Sequence, residues 1–113
     1  MGASVYKVNA TGAVAIASTM TVPAGHTYRL VSITLHLDAA PTTSELFTVT
    51  LDAQAGAAYD TLLYSVDPAA HALVDLVWIP DEELFFEGGD AIVVAYANTD
   101  LATYGVQTTM KAV

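Results

Sequence analysis

The chain has 113 residues, a length that suits one domain able to bury about two thirds of the surface of its unfolded form. It has no cysteine, which excludes a disulfide framework and a thiolate metal site. Twelve acidic residues against three basic ones give a formal net charge of −9. This argues against nucleic acid or an anionic membrane as a partner, because both need clustered Lys and Arg.

The first part of the chain predicts extended structure. Residues 4–8 fit either an edge strand or part of an extended N-terminal arm that spans residues 1–10. Residues 9–12, Asn-Ala-Thr-Gly, indicate a turn. Residues 13–21 then predict a strand that directs Val14 and Ile16 toward the core.

The clearest alternation of apolar and polar residues follows a break at residues 23–25 and runs from Tyr28 to Asp38. Residues 46–52 and 59–66 alternate in the same way, which predicts neighbouring half-buried strands. The residues predicted to face the core in these three strands are Val31, Ile33, Leu35, Leu37, Phe47, Val49, Leu51, Leu62, Tyr64 and Val66.

The second half of the chain contains the most apolar strand. Residues 91–97 are almost uninterrupted apolar side chains after the Gly88-Gly89 turn, which predicts a central strand of a sheet. Residues 73–79, 84–86 and 104–111 also read as strands, the last with Tyr104, Val106, Thr108 and Met110 on one face. Residues 68–72 could form only a single helical turn.

Eight or nine short strands with turn residues between them predict an all-β fold. We expect a single domain over residues 1–113, and a jelly-roll-type antiparallel β-sandwich of about eight strands is the leading architecture. The chain is 54% hydrophobic without a run long enough for a membrane span. Part of this apolar surface is therefore expected to be buried between subunits.

Two places could in principle bind a metal ion. His36 and Asp38 share a strand face, but a solvated polar pair is the more economical interpretation. The acidic residues Asp81, Glu82 and Glu83, together with Asp90, are weak candidates for a hard cation such as Ca²⁺. We predict no bound metal and no cofactor, because a charged turn is usually only solvated and no calcium-loop motif is present.

No enzyme motif can be identified. The five serines lack a Gly-x-Ser-x-Gly elbow, and no glycine-rich phosphate loop precedes a helix. The carboxylates are spread over turns and define no acid–base pair in a pocket. Since no nucleophile, base or metal can be placed in mutual geometry, the chain is not expected to be an enzyme.

Several segments in a fixed order resemble small virion structural proteins of tailed bacteriophages. They cover most of the chain from residue 22 onward and read VPAGHTYRLVSITLHL from residue 22, PTTSE from 41, FTVTLDA from 47, YDTLLYS from 59, EGGD from 87, AYANT from 95 and YGV from 104. The resemblance implies a part of the virion and carries no catalytic residue.

Within that resemblance, the acidity favours the outer surface of the head, because packaged DNA would repel this chain. The resemblance implies a capsid decoration, or cement, protein that binds where major capsid subunits meet and is itself a homotrimer. The partners are then the major capsid protein and further copies of the chain. Val5, Tyr6, Lys7 and Val8 are the interface candidates, as an arm that pairs with a neighbouring sheet edge. Ala-rich and Val-rich strand faces would suit the contact between copies.

Two alternatives stay open. The same sandwich could be a tail-associated or receptor-binding module that uses the loops at residues 53–58 and 81–90. It could also be a carbohydrate-binding module unrelated to phage, with Trp78 and the tyrosines stacking on a sugar, although core packing is the commoner use of such aromatics.

Overall fold

The computed structural model describes residues 5–113 and shows two antiparallel β-sheets packed as a sandwich. The all-β prediction is confirmed. Within residues 5–113, nine strands follow one another: β1 (Val5–Gly12), β2 (Ile16–Thr21), β3 (Thr27–Leu37), β4 (Phe47–Asp52), β5 (Thr61–Val66), β6 (Asp75–Trp78), β7 (Phe85–Glu87), β8 (Ala91–Tyr96) and β9 (Tyr104–Ala112).

Helical structure in the described part of the chain is limited to two 3₁₀ turns, Ala57–Tyr59 and Ala69–His71. The second turn lies within the segment where the sequence allowed a single helical turn. Within residues 5–113 no helix has the length and apolar character needed to cross a membrane.

One sheet has five strands and the other has four. The five-stranded sheet has the order β1-β9-β3-β6, and β7 also pairs with β3, while the four-stranded sheet has the order β2-β8-β4-β5. Two strands share one edge of β3 because β3 is eleven residues long: β7 pairs with residues 27–29 and β6 with residues 33–36. Pro80 lies between these two partners and cannot donate a ladder hydrogen bond, which helps to interrupt the pairing.

Five ladders arrange the chain as one long hairpin that is closed near residue 56. In each ladder the two partners lie almost equally far from that point, and this holds for β4 with β5, β3 with β6 and β7, β2 with β8, and β1 with β9. Two further ladders, β4 with β8 and β3 with β9, join the hairpin into its two sheets. The ends of the described chain therefore meet, with Val5 opposite Lys111.

The core lies between the sheets, and β8 is one of its main contributors. β8 runs between β2 and β4 and buries Ile92, Val94 and Tyr96, so the predicted central strand is confirmed. Phe47 and Val49 of β4 are also fully buried, as the alternation predicted. The predicted inward face of β9 is likewise buried, at Tyr104, Val106, Thr108 and Met110.

Two β-bulges change the predicted phase of the alternation. The register of β3 against β9 shifts between Leu30 and Ser32, so Leu30 faces the core and Val31, predicted to face it, is only half-buried. A second shift in the ladder of β4 with β5 leaves Leu63 without a direct partner. Leu62, which precedes the extra residue, consequently faces solvent, contrary to its prediction, because its phase is opposite to that of Tyr64 and Val66, which pack against the core.

The N-terminal predictions need two corrections. The turn expected at residues 9–12 is absent, because β1 continues to Gly12 and pairs with β9 along its whole length. Val14, expected in the core, is 65% exposed in the connection to β2. Of the two options for the N-terminal segment, residues 5–12 form an edge strand, and residues 1–4 of the predicted arm lie outside the described residues.

Candidate interaction surfaces

The four interface candidates lie on β1 and face two different directions. Val5 and Lys7 lie on the outer face of the five-stranded sheet and are exposed. Tyr6 stacks on the buried Tyr28 with ring centroids 4.8 Å apart, and Val8 is half-buried against the core. The outward pair, with the 39% of Tyr6 that stays exposed, is therefore available as a surface, and it belongs to a strand of the sheet rather than to a free arm.

All three basic residues of the chain lie on that same outer face. Lys111 of β9 is paired with Arg29 of β3, and Lys7 of β1 lies opposite Thr109 on the next outward row. We refer to Lys7, Arg29 and Lys111 as the cationic patch. The exposed side chains of Val5 and Phe85 stand at the two ends of the row that contains Arg29 and Lys111. The patch thus combines positive charge with apolar contact area.

The cationic patch has no ionic partner within the fold. In residues 5–113, no carboxylate oxygen lies within 4.0 Å of a lysine or arginine nitrogen, although the chain has twelve carboxylates. The one contact between a basic side chain and a carboxylate in that part of the chain joins the imidazole Nδ1 of His36 to Oδ1 of Asp75, 2.6 Å apart, with both side chains largely exposed. The three cations are therefore available to another molecule.

Many of the carboxylates have a structural use. Seven accept hydrogen bonds from loop N–H groups or neighbouring side chains: Asp38, Glu45, Asp60, Asp67, Asp75, Asp90 and Asp100. Within residues 5–113, the other five accept none: Asp52, Asp81, Glu82, Glu83 and Glu87. Much of the acidity of the chain is thus explained by loop anchoring, since a carboxylate is a strong acceptor for backbone N–H groups.

Asp100 is the most strongly anchored of these groups. Its carboxylate accepts hydrogen bonds from the backbone N–H groups of Thr42 and Thr43, at 2.7 and 2.9 Å, and from the hydroxyl of Thr43 at 2.7 Å. The Thr43 N–H and hydroxyl, with the Thr42 N–H, lower the pKa of Asp100 to about 2. This carboxylate joins the β3–β4 connection to the β8–β9 connection at one end of the sandwich.

Asn98 holds the same end from inside. Its side chain is buried, its φ is 51°, and its amide donates to the carbonyls of Val14 and Ala102 at 3.0 and 2.9 Å. Its carbonyl oxygen accepts from the Ala102 N–H at 3.1 Å. One side chain therefore closes the β8–β9 loop and ties it to the segment before β2.

The weak metal candidates do not gather into one site. Asp81, Glu82 and Glu83 lie exposed in the turn between β6 and β7. Asp90 is occupied as an acceptor for the backbone N–H groups of Gln54 and Glu87, both at 2.9 Å. Within the described residues no group of three or more His, Asp or Glu side chains is placed to hold a metal ion.

The structure also separates His36 from Asp38. The imidazole of His36 bonds to Asp75 on β6, whereas Asp38 accepts from the backbone N–H of Thr103 at 2.9 Å. His36 and Asp75 border a shallow depression of about 500 Å³ on the outer face of the five-stranded sheet. The floor of this depression includes Gly105, where the missing side chain leaves open space.

A second cleft, of about 480 Å³, lies where β5 and β6 form neighbouring edges of the two sheets. Tyr64 and Trp78 stack there with ring centroids 4.9 Å apart and an interplanar angle of 15°. Asp81 and Glu82 line the same cleft, with neither engaged in a hydrogen bond to residues 5–113. We define Tyr64, Trp78, Asp81 and Glu82 as the aromatic–acidic cleft.

The outer face of the four-stranded sheet has a different character. Alanine, valine and threonine side chains cover most of it, and Asp52 is the one charged residue among the outward positions of β2, β4, β5 and β8. Its outward residues are Ala17, Thr19, Thr21, Thr48, Thr50, Asp52, Leu62, Ser65, Ala91, Val93 and Ala95. The face is thus rich in threonine and alanine and has a single valine, Val93, whereas the sequence suggested Ala-rich and Val-rich faces for contact between copies.

Sequence reasoning did not find either the patch or the cleft. The patch had a signal only at Lys111, which follows the predicted core-facing Met110; Arg29 shares the predicted inward phase of Val31 and is turned outward by the bulge in β3. The cleft had none, because the stacking of Tyr64 on Trp78 depends on how the edges of two different sheets meet. Compared with known proteins, the sequence matches no family model and no curated relative.

Proposed function

We propose that this chain is a structural protein of a phage virion and that it decorates the outer surface of the head as a homotrimer. In this role it binds the junctions between major capsid subunits and stabilises the assembled lattice by mass action, because it favours only the assembled form. The resemblance of its segments to virion proteins of tailed phages is the starting point, and the features described above support it.

The exposed apolar side chains are the observation that carries the proposal. Twelve large hydrophobic residues of the described chain are more than a third exposed, and they occur on several sides of the sandwich: Val5, Tyr6, Val14, Leu46, Tyr59, Leu62, Val74, Val77, Ile79, Phe85, Leu101 and Val113. A small domain with apolar contact area on several sides suits simultaneous contacts with several neighbours. A decoration protein at a junction between subunits makes such contacts.

The strand order supports a jelly-roll assignment. If β6 and β7 are counted as one interrupted strand, eight strands remain, and the folded long hairpin pairs the first with the eighth, the second with the seventh, and so on inward. Two sheets made from one rolled hairpin are the arrangement of a jelly roll, a fold found in viral capsid domains. This is a fold-level analogy, and the proposed role does not depend on it.

The decisive experiment measures copies of the chain per purified particle by quantitative mass spectrometry against the major capsid protein. Hundreds of copies in a simple ratio to the shell subunit are expected. A few copies per particle would instead favour the tail-associated or receptor-binding role. Purified chain should also rebind mature heads stripped of it, and absence of rebinding would refute the decoration role.

The aromatic–acidic cleft favours one second candidate, a carbohydrate-binding module. Aromatic faces stack on sugar rings and carboxylates accept hydrogen bonds from sugar hydroxyls. Trp78 is the only tryptophan of the chain, so its fluorescence reports binding in the cleft directly. A glycan panel that quenches or shifts this emission would support the module, and a panel without effect would refute it.

A further inference from the structure

Six of the charged groups without an ionic or hydrogen-bond partner in residues 5–113 lie on two separate surfaces, while the remaining two, Asp52 and Glu87, lie on β4 and β7. The three cations share the outer face of the five-stranded sheet. Three consecutive carboxylates without hydrogen-bond partners in residues 5–113, Asp81, Glu82 and Glu83, lie in the β6–β7 turn, and the first two line the aromatic–acidic cleft. A sheet face and a sandwich edge point in different directions, so the carboxylates of the cleft do not neutralise the cations of the patch within one copy.

The cleft has the chemistry of a receptor for basic side chains. A guanidinium or ammonium group is attracted to the face of a Trp or Tyr ring within about 6 Å, and more strongly when the site is partly desolvated. Carboxylates beside the rings add charge-assisted hydrogen bonds. Tyr64 and Trp78 supply the rings, and Asp81 and Glu82 supply the carboxylates.

We propose that the cationic patch of one copy docks on the aromatic–acidic cleft of a second copy. The inference rests on the self-association included in the proposed function, and it names the surfaces that meet. The contact is heterologous, because two different surfaces are joined, and such contacts close into rings when the rotation between copies allows it. The neutral face of the four-stranded sheet is then left for other partners.

The available area fits this contact. β3 has eleven residues, which at about 3.3 Å per residue gives roughly 36 Å, and four strands abreast at about 4.8 Å give roughly 19 Å. The outer face of the five-stranded sheet therefore offers roughly 700 Å², close to the about 800 Å² that each partner buries in a standard interface. Val5 and Phe85 provide apolar contact beside the charges.

Charge reversal on each surface tests the proposal. The first variant is Arg29→Glu with Lys111→Glu, and the second is Asp81→Lys with Glu82→Lys. We expect each to weaken self-association at least tenfold in sedimentation velocity, since coupling across close interfacial charge pairs reaches this size. Trp78 fluorescence should change when the wild-type chain is diluted and should not change for either variant.

The two variants separate a specific contact from general repulsion. The second variant makes the net charge of the chain less negative. If general repulsion between copies were the only factor, this variant would associate more strongly than the wild type. We expect the opposite, that it associates more weakly. An equimolar mixture of both variants should associate, because the reversed patch of one variant matches the reversed cleft of the other. Matched contacts require the two variants to alternate, so assemblies with an even number of copies are expected rather than closed trimers. Asp52→Lys, at an exposed carboxylate on the other sheet, is the matched control and should leave association unchanged.

A wild-type chain that stays monomeric at high concentration would overturn the proposal. Undiminished association in both variants, or a mixture that does not associate, would also overturn it. If reversal at the half-buried Arg29 and Lys111 impairs folding, Arg29→Gln with Lys111→Gln replaces the first variant. Rebinding of the variants to stripped heads is measured in parallel, so that loss of the contact between copies is distinguished from failure of the decoration role.

Discussion

Replacing Asn98 with alanine should destabilise the fold strongly. The side chain is 1% exposed and makes three hydrogen bonds, two to Ala102 and one to Val14. Each lost bond to a buried backbone group costs about 1 kcal/mol or more. Alanine in the left-handed conformation at φ 51° adds about 1 kcal/mol. The expected loss is about 4 kcal/mol, a large part of the about 5–15 kcal/mol that stabilises a typical domain.

Urea unfolding followed by Trp78 fluorescence or circular dichroism measures this loss. With a slope of about 1.5 kcal/mol per molar urea, the midpoint should fall by about 2.5 M. Asn98→Gly is the matched variant, because it loses the same hydrogen bonds without the steric cost at positive φ, and should be about 1 kcal/mol more stable than Asn98→Ala. A loss below about 1 kcal/mol for Asn98→Ala would refute the role of Asn98 as the anchor of the β8–β9 loop.

Three further predictions follow from the same structure. The pKa of Asp100 is lowered from 3.8 to about 2, so its contribution to stability is present above pH 3.8 and is lost as the pH falls through 2. The variant Asp100→Asn lacks this carboxylate, so its melting temperature should change less than that of the wild type over this pH range. The buried hydroxyl of Tyr96 has no partner in the described residues, so Tyr96→Phe should raise the free energy of unfolding by about 1 kcal/mol; a decrease would point to an unseen partner. A Cβ at Gly88 would lie 2.8 Å from the carbonyl oxygen of Pro23, whereas one at Gly105 would meet nothing within 4 Å. Gly88→Ala should therefore cost about 1–3 kcal/mol and Gly105→Ala less than about 0.5 kcal/mol in thermal melts, and equal costs would contradict this assignment.

The local alternation of apolar and polar residues predicts side-chain orientation correctly where a strand is regular and buried on one face. The apolar run of residues 91–97 could belong only to the interior of a sheet, and β8 is found there between two neighbours. The same holds for the four inward residues of β9. In both strands the pleat continues without interruption, so each residue has the orientation that its position in the alternation predicts.

The same alternation predicts side-chain orientation wrongly where the backbone departs from a regular pleat. The bulge at Val31 and the extra residue at Leu63 each put the preceding and the following side chains in opposite phase, so one alternation cannot describe the whole strand, and neither position is marked by a glycine. The two interaction surfaces depend on strand order, which local sequence does not contain. Arg29 and Lys111 become neighbours only because β9 inserts between β1 and β3.

The long hairpin also bears on the order in which the molecule assembles. Its closed end is the one place where pairing joins residues close in sequence, as in Leu51 with Thr61, whereas Val5 and Lys111 lie at opposite ends of the described chain. Closing a short loop costs less entropy, and each ladder formed brings the next pair of strands together. We therefore expect folding to start at β4 and β5 and to finish with β1.

This order has a consequence for assembly. β1 carries Lys7, and its partner β9 carries Lys111, so two of the three cations reach their places in the last step of folding. The binding surface formed by these residues consequently does not exist in a partly folded chain. Newly made molecules would complete their own fold before they could recruit one another, which protects a protein with so much exposed apolar surface from joining unfinished copies.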